Sequence, residues 1–325
     1  MKKALKIVMI IVGIIILAIA GLLIYLKIAL PHAEPAPDLK VQATPERIER
    51  GQYLANNVMV CMACHSTRDW SILTAPIIAG TEGKGGEIFD QKLGFPGKYI
   101  APNITPHYLG KWTDGEIFRA ITSGIERDGH ALFPLMPYLS FGQLDEEDIL
   151  SVIAYIRTLP TIKNDVPEST SDFPMNFIIN TIPQKPHFQK KPSPTDQVAY
   201  GKYISTAALC ANCHTNEIKG KMVGEPFAGG REFMLTDGAI VRSANLTPHA
   251  TGIGNWTEDT FMKKFRFYSD STYQDKKVVP GTLQTVMPWT MFARMKDEDL
   301  KAIFAYLKTL PPVENFPEKF TPVSR

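Results

Sequence analysis

Two five-residue stretches of this 325-residue chain set thiols and an imidazole at one common spacing: Cys61-Met62-Ala63-Cys64-His65 and Cys210-Ala211-Asn212-Cys213-His214. Between them they use all four cysteines. Cys-x-x-Cys-His is the pattern of covalent c-type haem attachment, in which two thiols form thioethers to the porphyrin vinyl groups and the adjoining imidazole reaches the iron. Two intervening residues place both sulfurs along one ring edge, and the histidine that follows can turn under the metal. The pattern therefore assigns Cys61, Cys64, Cys210 and Cys213 to attachment and His65 and His214 to proximal ligation, so two covalently bound haem c groups are expected. The rivals fit less well. A zinc ribbon sets its cysteine pairs roughly 15 to 20 residues apart, whereas Cys64 and Cys210 are 146 apart. A thioredoxin-like redox pair sits beside a strand in a βαβ unit, an alternation this sequence lacks. Disulfides joining the two pairs leave both histidines unexplained.

The sixth ligand decides what such an iron can do, and a thioether opposite histidine raises the potential and closes the metal to small molecules. Among twelve methionines, Met136 and Met287 are the candidates. Each precedes a proline, and they lie 72 and 74 residues after the second cysteine of their motifs. His130 is a rival for the first iron, although Gly281 stands at the matching place in the second half. His107 and His249 recur inside Asn-x-Thr-Pro, which reads first as a structural turn. His32 and His187 lie in spacers. Trp112 and Trp256 read as packing residues, with the alternative that their indoles, or the amides of Asn103 and Asn245, donate to a buried haem propionate. The lysine pairs at 190–191, 263–264 and 276–277 read as solvated faces, with a docking patch for an acidic redox partner as the sharper reading.

The elements that must hold these residues come twice. Gly51-Gln52-Tyr53 returns as Gly201-Lys202-Tyr203, Asn103-Ile104-Thr105-Pro106-His107 as Asn245-Leu246-Thr247-Pro248-His249, and Gly110-Lys111-Trp112-Thr113 as Gly254-Asn255-Trp256-Thr257. Met136-Pro137-Tyr138 matches Met287-Pro288-Trp289, and the stretch Glu147 to Pro160 matches Glu298 to Pro311 at a constant offset of 151. A repeat samples each signal a second time. Helices are expected near Pro45–Asn57 and Asp196–Ala207, each carrying a glycine that implies close crossing by another helix. The crossing partners are the last helices of each half, opened by acids at 145–148 and 297–299 and closed by Pro160 and Pro311. Between them run long Gly- and Pro-dense loops, so something other than side chains is expected to fill each centre. The expected fold class is all-α: two tandem domains, 45–160 and 196–312, joined by a linker at 161–195 and followed by a tail at 313–325.

The N-terminus reads as a membrane segment. Ile7 to Leu26 are 20 uncharged residues, enough as a helix for the hydrocarbon core of about 30 Å. Lys2, Lys3 and Lys6 before the span keep the N-terminus cytoplasmic. An uncleaved signal anchor over residues 1–30 is expected, with a cleaved signal as the alternative, and residues 31–44 form a Pro-rich linker. The whole chain is 44% hydrophobic and 21% charged, an ordinary globular mix. Net charge is only +2, so nucleic acid is not an expected partner.

With Asn245-Leu246-Thr247-Pro248, Thr251 to Thr257, Met287-Pro288-Trp289 and the Asp299 to Leu310 helix in view, the body resembles the membrane-bound multihaem cytochrome c subunits of bacterial alcohol, aldehyde and gluconate-type dehydrogenases, which are strings of cytochrome c class I domains. Those subunits typically carry three haem motifs, and this chain has two. The resemblance implies helical cytochrome c folds in which the four cysteines hold haem, His65 and His214 are proximal and Met136 and Met287 distal. The expected protein is a single-pass dihaem cytochrome c of the bacterial cytoplasmic membrane with periplasmic haem domains. It would be an electron carrier rather than an enzyme by itself, working between a dehydrogenase or quinol-oxidising complex and an oxidase or soluble cytochrome. The alternative is a dihaem peroxidase-like enzyme with one open haem site.

Overall fold

The computed structural model describes residues 2–279 and 281–323; Met1, Pro280, Ser324 and Arg325 lie outside the described residues, and with them the first residue of the expected anchor and the last two of the expected tail. Helix α1 (Lys2–Ile28) is a continuous 27-residue rod of roughly 40 Å. Its apolar window has no residue buried against the body, so it is long and apolar enough to cross a bilayer. The segment after it lies against the protein. Asn180 Nδ2 donates to Leu26 O at 2.9 Å, Arg119 Nη1 to Glu34 O at 2.9 Å, and Val41 N to Asp114 Oδ2 at 2.8 Å.

Along the body follow α2 (Pro45–Tyr53), continued by a π-helical turn over Leu54–Val58, then the one-turn α3 (Cys61–Cys64), strands β1 (Ile88–Phe89) and β2 (Gly97–Ile100), and helices α4 (Pro106–Leu109), α5 (Asp114–Ser123), α6 (Tyr138–Phe141) and α7 (Glu146–Ile156). A connector bearing β3 (Thr170–Ser171) and α8 (Met175–Ile178) leads to α9 (Gln197–Ala207) and α10 (Cys210–His214). Strands β4 (Glu217–Ile218), β5 (Lys221–Met222), β6 (Glu232–Met234) and β7 (Ile240–Arg242) come next, then α11 (Glu258–Arg266), α12 (Trp289–Phe292), α13 (Asp297–Leu307) and β8 (Phe320–Thr321).

Local chemistry starts the helices. Thr44 caps α2 ahead of Pro45, Thr113 and Glu116 form a reciprocal capping box on α5, and Asp145 and Asp196 cap α7 and α9. Helix α2 then crosses α7, and α9 crosses α13. A Cβ on Gly51 would lie 1.8 Å from Ser151 O, and one on Gly201 would lie 1.9 Å from Ala302 O, so each crossing requires a residue without a side chain. Leu54, Ile149 and Ile153 from the first half and Ile204, Leu300 and Leu307 from the second belong to one continuous buried cluster.

The all-α expectation of two tandem helical domains does not hold. Among the described residues eight short strands form three antiparallel sheets, ordered β1-β2-β3, β4-β5 and β6-β7-β8. The outer strands come from outside the repeats: β3 of the connector pairs Gly97 with Ser171, and β8 of the tail pairs Val241 with Phe320. Strands of two to four residues are too short to show an alternating pattern, and their partners are distant in sequence, so periodicity could not announce them.

Candidate haem sites

Immediately before the first cysteine of each motif the backbone is left-handed, at Val60 (φ 47°) and Leu209 (φ 59°), and from there it turns into α3 and α10. Cysteines three apart on one helical turn share a face. Burial pushes the Cys61 and Cys210 thiols up to about 12 and Cys64 to about 11, so these sulfurs are neutral at physiological pH.

Each histidine sits in the same cradle. His65 Nδ1 is 2.8 Å from Pro102 O, and His214 Nδ1 is 2.7 Å from Ala244 O. A carbonyl only accepts, so Nδ1 carries the proton and Nε2 keeps the lone pair a metal needs. Burial holds both imidazoles below the usual histidine range, against the opposing pull of that hydrogen bond. On the main chain, Gly85 N donates to His65 O at 2.9 Å and Gly229 N to His214 O at 2.7 Å. Both glycines have φ above +70°, and a Cβ on either would come within 2.5 Å of the backbone at 102–103 or 244–245. The carbonyl that orients the ring is fixed in turn by the neighbouring asparagine. Asn103 Oδ1 accepts from Thr105 N (2.8 Å) and Oγ1 (2.7 Å), while its Nδ2 donates to Ile162 O (2.8 Å) and Asn164 O (3.2 Å). Asn245 repeats this with Thr247, Val313 O and Asn315 O. The hydrogens of these amides are spent on loop carbonyls. The cradle glycines and carbonyls escaped the sequence reading. Their signal was the pair Gly85-Gly86 returning as Gly229-Gly230, at the 144-residue offset that also relates Trp112 to Trp256.

Met136 and Met287 occupy one and the same turn. Tyr138 N donates to Met136 O and Trp289 N to Met287 O, both at 2.8 Å, and the prolines that follow accept from residues three and four further on, opening α6 and α12. In the first half Cys61, His65 and Met136 line a single cavity of about 110 Å³, whose other walls include Ile104, Trp112, Phe141 and Val152. A neutral imidazole with a free Nε2, a thioether and a thiol around an apolar chamber is a donor set that fits haem c. Among the described residues no group of three or more His, Cys, Asp or Glu is gathered for a metal ion.

The rival residues are engaged elsewhere. His107 Nε2 pairs with Asp165 at 2.8 Å, and His130 Nδ1 pairs with Asp128 at 2.7 Å with 79% of its side chain exposed. Neither lines the cavity. His249 Nδ1 meets the Thr251 hydroxyl at 2.9 Å. Trp112 lines the cavity and Trp256 packs against Phe261. Of the lysines, Lys191 is tied to Asp148 at 3.0 Å, Lys263 to Asp259 at 2.7 Å, and Lys264 lies over the Trp289 ring.

The two halves meet through a reciprocal exchange. Asp148 at the start of α7 is 1% exposed. It accepts two bonds from Arg50 (3.0 and 2.7 Å), one from Lys191 Nζ (3.0 Å) and, from the other half, one from Tyr203 Oη (2.8 Å). Its counterpart Asp299, fully buried on α13, accepts from Tyr200 Oη at 2.7 Å and from Tyr53 Oη of the first half. Tyr53 and Tyr203 hold equivalent places in the Gly-x-Tyr repeats, so each half lends a phenol to the other's buried carboxylate. Ser140 beside α6 also reaches Asn212, inside the second cysteine motif, at 3.2 Å.

Residues 198–311 match the cytochrome c family. Over 288 residues, 82% of this chain and 56% of the relative, the sequence is 29% identical to the cytochrome c subunit of the quinone alcohol dehydrogenase of Gluconacetobacter polyoxogenes. It is 27% identical over 299 residues, 86% of the chain and 56% of the relative, to the fructose dehydrogenase cytochrome subunit of Gluconobacter japonicus. It is 25% identical over 271 residues, 78% of the chain and 83% of the relative, to a diheme cytochrome c-type protein of Cereibacter sphaeroides. The chain spans just over half the length of the first two relatives. The chain thus resembles the cytochrome c family over residues 198–311 and dehydrogenase cytochrome subunits along most of its length.

Proposed function

We propose that the chain is a dihaem cytochrome c that passes single electrons at the periplasmic face of a bacterial cytoplasmic membrane, anchored there by α1 with its N-terminus in the cytoplasm. Residues 45–160 and 196–312 each hold one haem: Cys61, Cys64, His65 and Met136 the first, Cys210, Cys213, His214 and Met287 the second. Bound haem c supplies reversible one-electron chemistry at its iron. The polypeptide would fasten the ring through the cysteines, present Nε2 of a neutral histidine whose Nδ1 proton is committed to a carbonyl, and offer a methionine thioether as a further ligand. The observation that carries the reading is duplication, in both halves, of the histidine cradle and of the main-chain bonds that follow each methionine. Two equivalent methionine turns also favour a carrier over a peroxidase-like enzyme, which needs one open iron. The names of the similar proteins support a dehydrogenase as electron donor; the acceptor in this reading is an oxidase or soluble cytochrome.

The test is a potentiometric titration with optical spectra on detergent-extracted protein, together with the mass of the denatured chain. Two haems per chain, both low-spin and high-potential, are expected, and Met136→Ala and Met287→Ala should each lower one potential and leave the other. A chain mass without haem, or ready reaction of the native protein with carbon monoxide or peroxide, would refute the carrier reading.

A further inference from the structure

The residue three positions before each candidate distal methionine differs between the halves, and so does what holds the methionine turn. In the first half it is Phe133, whose backbone carbonyl accepts from Met136 N at 3.1 Å. Its ring stacks on Tyr99, with 4.0 Å between centroids and 16° between planes, and Phe95 stands edge-on to both. All of these residues belong to the first half.

In the second half the position is Gln284, 5% exposed. Its Nε2 donates to Trp70 O (3.0 Å) and Ile72 O (2.8 Å), and its Oε1 accepts from Thr74 N (2.9 Å) and Thr285 N (2.8 Å). Three of these four bonds go to the first half, into the loop that follows Cys64 and His65. Backbone bonds run alongside, from Leu73 N to Lys276 O at 2.8 Å and from Val278 N to Ser71 O at 2.7 Å. The receiving loop is itself held, since Arg68 donates to Thr74 O (2.8 Å) and Ala75 O (2.7 Å) and lies over the Trp70 ring. From Gln284 the path to the ligand is short, because Met287 N donates to Thr285 Oγ1 at 3.2 Å. A primary amide offers two donors and an acceptor with two lone pairs, and this one uses all of them. Removing it takes these partners from Trp70 O, Thr74 N and Thr285 N, while Ile72 O keeps its bond from Ala75 N at 3.0 Å.

We propose that Gln284 is a positioning residue through which the first half holds the Met287 turn of the second, so that thioether ligation at the second haem depends on the first half, whereas Phe133, at the corresponding place before Met136, makes its contacts within its own half. The inference rests on Met287 being the sixth ligand of the proposed function. A turn released from Gln284 gains conformations in which the Met287 sulfur is turned away from its ligating position, and the open fraction of the second site rises accordingly.

The experiment uses the full chain with both haems attached and compares wild type, Gln284→Ala, Gln284→Glu and Met287→Ala. The readouts are the far-red methionine-to-ferric charge-transfer band, carbon monoxide bound per reduced chain, and the two midpoint potentials. Gln284→Ala is expected to lose up to about half of the band, one haem's share, to gain up to about one bound carbon monoxide, and to lower one potential only. Gln284→Glu keeps the shape and the accepting oxygen but sets an oxygen against the Trp70 and Ile72 carbonyls. It should move all three readouts the same way and less far, and it decides the matter if the alanine variant does not accumulate. The inference is overturned if Met287→Ala changes all three while both Gln284 variants, holding two haems, match wild type. If Met287→Ala itself changes nothing, the ligand assignment fails and the positioning role falls with it.

Discussion

Replacing Asp148 by asparagine removes one charge and almost no volume, and it asks whether the junction between the halves is held electrostatically. Asp148 is 1% exposed and answers Arg50, Lys191 and Tyr203 together. Of its two cations, Arg50 keeps 21% of its side chain exposed and Lys191 35%. Arg50 is therefore the charge left stranded, while water screens Lys191. Breaking a buried ion pair from one side costs about 3–5 kcal/mol, and the residual exposure of Arg50 places the cost near the lower end, about 3 kcal/mol. At about 2–4 °C per kcal/mol for proteins of roughly this size, the unfolding temperature should fall by roughly 6–12 °C at pH 7. The pH dependence has a definite sign. Burial pushes the Asp148 carboxyl up, but the Arg50 hydrogen bonds and charge, helped by Lys191 and Tyr203, outweigh it and hold the group below the usual aspartate range. A depressed carboxylate stabilises the fold above its unfolded value of about 3.9 and loses that contribution as pH falls through the folded value. The asparagine variant should therefore be less stable at neutral pH and show a shallower acid limb below about pH 4. Thermal unfolding of the haem-loaded protein, followed by haem absorbance and tryptophan fluorescence between pH 7 and pH 3, reads both effects. An unfolding temperature within about 2 °C of wild type, or acid limbs that run parallel, would sink the argument.

Other outcomes follow from the same geometry. Gly51→Ala or Gly201→Ala must drive a crossed helix pair apart and should cost about 3 kcal/mol or more, seen as loss of folded, haem-loaded protein on expression. Asn103→Ala strips four hydrogen bonds from the loop that presents Pro102 O to His65. Calorimetry should show a loss of about 2–4 kcal/mol and potentiometry a fall in one haem potential, with Asn245→Ala doing the same at the other haem. Replacing residues 1–30 by a cleavable export signal should move the protein from the membrane fraction to the soluble one while the haem-to-chain ratio stays unchanged, as measured by pyridine haemochrome and protein assay.

How far the sequence can be read depends on where each signal lives. Cys61 to His65 and Cys210 to His214 announce themselves because side-chain type and spacing are the chemistry. Gly51 and Gly201 are legible as crossings because a mid-helix glycine is costly enough to need a reason. The histidine partners are hidden for the opposite reason. Only a backbone oxygen is required, so Pro102 in one half is replaced by Ala244 in the other and no residue type marks the place. The strands β3 and β8 are two residues each, lie outside the repeats and pair with β2 and β7 inside them. The junction between halves joins residues as far apart as Tyr53 and Asp299, 246 positions, and no local pattern reaches that far. Gln284 stands in a loop with nothing around it to single it out until the opposing carbonyls of residues 70 and 72 are in view.

The bonds that Leu26, Glu34 and Val41 make with Asn180, Arg119 and Asp114 bear on how the body meets other molecules. A globule on a slack tether swivels and offers every side in turn. Here the swivel is pinned at three points along its length, so rod and globule rotate together about a common axis. A collaborator embedded in the same sheet of lipid then meets a fixed azimuth, and its search reduces to sliding and turning in a plane. Under the proposed function, loosening those pins would slow such encounters without touching the candidate haem sites.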